Sequence, residues 1–129
     1  MHIIEVTGRT LISLLFLVEG VKKIFSPDIT MIYMSDHNVP EILLYPSIAF
    51  EIIIPLFLIV GYKIRIMSAL LALFVVAVSF IFHFHHISEN AMQLTALLKN
   101  LSILGGLFIL IANKPQICSL DYYFESKKR

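Results

Sequence analysis

Four stretches of the chain are almost continuously apolar, roughly residues 3–25, 42–62, 66–84 and 93–112. Each is about 20 residues long, the length an α-helix needs to cross a hydrocarbon core of roughly 30 Å. A helix of a soluble bundle would carry a polar stripe at helical period, and the second and third stretches have none. The first differs, because Glu5, Arg9, Glu19, Lys22 and Lys23 leave only Thr10 to Val18 clear of charge. It spans only if Glu19 and Lys23 lie at a bilayer surface or face protein. The second and third are joined by the short Gly61-Tyr62-Lys63-Ile64-Arg65 turn, expected between adjacent antiparallel helices. Between the first and second lies Ser26 to Glu41, whose Pro27, Asn38 and Pro40 predict an irregular polar loop. A polar tail follows from Asn113-Lys114-Pro115.

Composition points the same way. Of 129 residues, 58% are hydrophobic and 15% charged, and the mean hydropathy is +0.87; a soluble domain is about half apolar and a quarter charged. A net charge of +1 provides no basic stripe for nucleic acid, which is excluded as a partner. The lone Cys118 excludes an intrachain disulfide and a thiolate-built zinc site. Thr10 to Val18 could pass for the apolar core of a signal peptide, but Val18-Glu19-Gly20 is a poor cleavage site, so a retained helix is expected. With four spans, one side holds Arg9, Lys63, Arg65, Lys114, Lys127, Lys128 and Arg129, and the other Lys22, Lys23 and Lys99. Seven cations against three place both termini in the cytoplasm, where Cys118 stays a free thiol.

Charges within spanning segments are costly and by default mark a functional interior. Glu51 falls near the middle of the second stretch. Four residues on, Pro55 lacks the amide hydrogen that would have bonded the Glu51 carbonyl, so side chain and backbone acceptors are open at one depth. A binding or proton-handling role and a purely structural ion pair are both open to it. Glu19 and Lys23 stand at i and i+4 in the favourable order on one face, and an interfacial ion pair between them and a binding role are both open. Lys99 and Asn100 lie about two turns inside the fourth stretch, and the simplest partner for Lys99 is Glu51 or Glu19.

Phe82-His83-Phe84-His85-His86-Ile87-Ser88-Glu89-Asn90 ends the third stretch with three histidines. An interfacial helix end, proton exchange near a headgroup, and metal binding all fit it. His83, His86 and Glu89 are one candidate ligand set, and His85 and Glu89 with Asp36 or His37 another, although the spacing dictates no metal.

The succession of Gly8-Arg9, Leu14-Leu15-Phe16, Gly20-Val21-Lys22-Lys23, Glu51, Gly61 to Arg65, Leu98-Lys99-Asn100-Leu101, Gly105-Gly106-Leu107 and Ser119-Leu120-Asp121 resembles the DoxX family of small membrane proteins. Glu19 departs from that pattern. The resemblance runs through nearly the whole chain and implies one domain over residues 1–129, an all-α transmembrane four-helix bundle in a bacterial inner membrane. It also implies a link to quinone-dependent oxidation of sulfur compounds or to membrane redox complexes, and singles out Arg9, Lys23, Glu51, Lys99 and Asn100. The expectation is therefore a membrane subunit of a quinone-linked redox system. Glu51 and Lys99 would act on the headgroup, and Lys23, Asn100, Arg9, His83 and His86 would line its site. A soluble or membrane-bound redox partner is expected, and self-association is left open. Whether the chain itself is catalytic stays open, as do two alternatives: a non-catalytic anchor or assembly protein, and a small carrier of a hydrophobic or metal substrate.

Overall fold

The computed structural model describes residues 2–83, 91–113 and 119–128, all of them helix or short connections, with no strand among the described residues. Helix α1 covers His2–Phe25 and α2 covers Pro27–Asp36. A 3-10 turn, Glu41–Leu43, leads into α3, Leu44–Val60. Helix α4, Ile64–Val78, runs into a π-turn, Ser79–His83. Helix α5 covers Ala91–Ala112 and α6 covers Leu120–Lys127.

Three of these elements are long and apolar enough to cross a membrane: Glu41–Val60, Ile64–Ile81 and Leu94–Ala112. Only 22%, 33% and 17% of their apolar windows are buried within the chain, so most of that surface must be covered by lipid or by other chains. The chain is an integral membrane protein. Helix α1 is long enough to span, but the charges read from its sequence keep it out of this set.

Helices α1 and α3 pack along each other, α4 packs on α5, and α3 joins the two pairs through α4. Phe16, Leu58, Leu71, Val75, Leu107 and Leu110 form the shared core. Two glycines set the helix spacing. A Cβ on Gly20 would stand 2.9 Å from Ile52 Cγ1 and 3.4 Å from Glu51 Cβ, so its absence lets α1 close onto α3 beside the carboxylate. A Cβ on Gly106 would meet Ile12 Cδ1 at 3.1 Å, which marks where α1 meets α5.

Two expectations of the sequence are corrected. The segment read as an irregular loop contains α2, because Pro27 occupies the first turn of a helix, where its missing amide hydrogen is not needed. Asp28 adds a favourable negative charge to that turn. The helix stops at His37, before Asn38 in a left-handed conformation and Pro40. The polar tail likewise contains α6, whose capping residue Ser119 accepts a hydrogen bond from the Tyr122 amide at 3.2 Å.

Helix α6 is tied back to the α3–α4 turn. That turn uses Gly61 at φ +80 and Lys63 at φ +49, both left-handed. The Asp121 carboxylate accepts hydrogen bonds from the amides of Lys63, at 2.6 Å, and Ile64, at 2.7 Å. These are amides at the start of α4 that have no acceptor in their own helix. In return the Asp121 amide donates to the Gly61 carbonyl at 3.0 Å. Arg65 Nε donates to the Asn113 carbonyl at 3.1 Å, fixing the end of α5 to the same corner.

Candidate functional site

Glu51 faces α1 and is 4% exposed. The ammonium of Lys23 donates to both of its carboxylate oxygens, at 2.9 and 2.8 Å, and lies 3.3 Å from Ser47 Oγ. A lysine has three donor hydrogens, so Lys23 is fully engaged. This corrects two readings of the sequence. Glu51 pairs with Lys23 of α1 rather than with Lys99, and Glu19 pairs with Lys22 at 3.6 Å rather than with Lys23. The reason is rotation about α1: packing at Gly20 turns Lys23 toward α3 and leaves Lys22 at the surface.

The pair lines a cavity of about 700 Å³ between α1, α2, α3, α4 and α5. Its walls are mainly apolar, with Phe16, Phe50, Phe74, Val75 and Ile103 prominent and Tyr33 and Met34 contributed by α2. Phe50 and Phe74 stack on each other in its wall at 5.1 Å between ring centroids. Its charged lining is Glu19, Lys23, Glu51 and Lys99. Among the described residues Lys99 makes no hydrogen bond or ion pair. Asn100 Nδ2 donates to Ser79 Oγ at 3.0 Å, so one of its amide hydrogens is spent holding α5 against the first residue of the π-turn.

The structure thus brings Lys23, Glu51, Lys99 and Asn100 to one cavity. It places Arg9 elsewhere. Arg9 is 1% exposed and does not line the cavity; its Nη1 would lie 2.9 Å from a Cβ on Gly61, at the α3–α4 turn. Ser13 and Ser68, both fully buried, present hydroxyls with no hydrogen-bond partner among the described residues. His83 ends the π-turn, while its side chain and the whole of His85, His86 and Glu89 lie outside the described residues. Among the described residues no three metal-ligating side chains cluster.

Ser47 was missed by the sequence reading. It precedes Glu51 by four residues and so lies on the same face of α3, a spacing that was there to be read. Tyr33 and Met34 were missed because their segment was read as loop. Chemically, the site offers a neutralised carboxylate–ammonium pair, an uncommitted ammonium and an amide, set in apolar walls. Such a site suits a ligand with an apolar body and an oxygen-bearing head.

The sequence model of the family described as DoxX matches residues 5–84. That match contains Arg9, Lys23, Glu51 and His83 and ends before Lys99 and Asn100. No curated protein and no solved structure matches the chain.

Proposed function

The chain belongs to the DoxX family, and from that premise we propose that it is the membrane subunit of a quinone-linked redox system. The observation that carries this reading is Lys99, which brings an ammonium uncommitted among the described residues to an apolar cavity that also holds the Lys23–Glu51 pair. A quinone head is a flat apolar ring whose carbonyl oxygens accept hydrogen bonds and donate none. The donor set fits it, and a cavity of about 700 Å³ lies in the range that buries small organic ligands.

When bound, the quinone supplies two-electron, two-proton chemistry, with the electrons exchanged through a partner protein. Lys99 Nζ would donate to a carbonyl oxygen and favour negative charge there. The second amide hydrogen of Asn100 is available to the same head, while its bond to Ser79 fixes its orientation. Glu51 would take up or release a proton beside the head, and Lys23 holds its carboxylate in place and stabilises the charged form. The stacked pair Phe50 and Phe74 would offer the ring one apolar wall, and the other apolar side chains of the cavity would keep water from it.

In this reading α1 crosses the bilayer as a fourth span, its Glu19 and Lys22 pairing near one surface. Both termini face the cytoplasm of a bacterial inner membrane, following the seven-to-three excess of Lys and Arg. The test is binding of a short-tailed quinone to the protein in lipid nanodiscs. Removing a charged hydrogen-bond donor costs about 1.5–3 kcal/mol, so Lys99→Ala should weaken binding about 10-fold to 100-fold. Unchanged affinity in both Lys99→Ala and Glu51→Gln would overturn the assignment.

A further inference from the structure

A row of aromatic rings runs from the end of α3 across the α3–α4 turn onto α6. Phe57 and Tyr62 lie 5.8 Å apart between centroids, Tyr62 and Phe124 6.3 Å, and Phe124 and Tyr123 5.8 Å. Two ammonium groups sit over this row, Lys63 at 5.4 Å from the Tyr62 centroid and Lys127 at 5.1 Å from that of Tyr123. Tyr123 and Phe124 are 51% and 46% exposed.

The depth of the row is fixed by the fold. The turn at residues 61–63 joins two candidate spans, so it stands where hydrocarbon gives way to headgroups. Helix α6 cannot leave that level, because Asp121 is bonded to the Lys63 and Ile64 amides and its own amide to the Gly61 carbonyl. Rings of Tyr and Phe with a polar or cationic edge are suited to that boundary.

Charge selects the kind of lipid. Lys63, Arg65, Lys127 and Lys128 are all exposed at this corner. Of the acidic groups facing them, the Asp121 carboxylate is occupied by two backbone amides and Glu125 also has a partner. Among the described residues, four cations against two carboxylates leave an excess of positive charge at phosphate level.

We propose that α6 and the α3–α4 turn form a binding surface for anionic phospholipid headgroups, the rings seated at the glycerol level and the lysines on the phosphates. The surface is independent of the cavity and of what the cavity binds. Each cation near an anionic bilayer should contribute about a fivefold preference, weakened by salt.

The experiment uses the full-length protein in nanodiscs of zwitterionic lipid containing a graded fraction of phosphatidylglycerol. Native mass spectrometry after gentle release counts the anionic and zwitterionic lipids retained, and thermal unfolding is followed in parallel. The wild type should retain phosphatidylglycerol above its bulk fraction and unfold at higher temperature as that fraction rises. Lys127→Gln combined with Lys128→Gln, both at the exposed end of α6, should lower the enrichment at least fivefold while leaving unfolding in purely zwitterionic lipid unchanged. Retention at the bulk fraction by the wild type, or full enrichment in the double variant, would overturn the proposal. So would enrichment that persists undiminished at high salt.

Discussion

Glu51 is the residue on which the interior turns. A carboxylate 4% exposed in a candidate span stays there because one ammonium satisfies both oxygens, and Ser47 completes that ammonium's bonding. Removing one member of such a pair leaves the other's desolvation uncompensated. With one-fifth of the Lys23 side chain accessible, Glu51→Gln and Lys23→Gln should each cost about 2–3 kcal/mol of stability in thermal or denaturant unfolding in detergent. The double variant should cost clearly less than the sum of the two, since neither charge is then stranded. Additive losses would show that the two residues do not act as a pair. At the neighbouring Gly20, a methyl group would press on Ile52 and Glu51. Gly20→Ala should cost about 1–3 kcal/mol, and Ile52→Ala in the same chain should recover part of it. The importance of Glu51 was legible in the sequence because burying a charge is costly wherever the helix sits. The identity of its partner was not legible, since Lys23 and Lys99 are equally available in a sequence and only the rotation of α1 on α3 selects between them.

At the scale of elements, the long helices were legible to within two or three residues once the π-turn is counted with α4, because hydrocarbon demands unbroken apolar runs. The short ones were missed for a specific reason. Pro27 breaks a helix but equally suits its first turn, and Ser119-Leu120-Asp121 is polar enough for a tail although its serine caps α6 and its aspartate caps α4. Both short helices matter to position: α2 closes one wall of the cavity, and α6 locks the α3–α4 turn. Asp121→Ala should cost about 1–2 kcal/mol, the scale of a lost helix cap, and Asp121→Asn less, because one side-chain oxygen remains to accept. Equal melting temperatures for wild type and Asp121→Ala would show that the clasp contributes nothing. Gly61→Ala should be more damaging than a usual glycine substitution, since it combines a φ of +80 with a collision against Ser119.

For the whole molecule, the apolar faces of three spans and the DoxX match establish a membrane protein. The proposed arrangement, with four spans and both termini inside, predicts a simple labelling pattern. In intact cells a membrane-impermeant thiol reagent should leave the native Cys118 untouched. It should modify a cysteine placed at exposed Ser35 of α2 in a Cys118→Ser background. Labelling of Cys118 from outside would reverse the orientation. What the sequence could not reveal at this scale is the enclosure itself: Lys23, Glu51, Lys99 and Asn100 come from three helices, and only their packing with α2 and α4 makes one cavity of them. The most direct test of its proposed use is to identify the small molecules that accompany the purified protein, comparing wild type with Lys99→Ala at matched folding and yield. Near-stoichiometric quinone should accompany the wild type and be lost from the variant. Phospholipid alone in both preparations, with no quinone retained by the wild type, would contradict it.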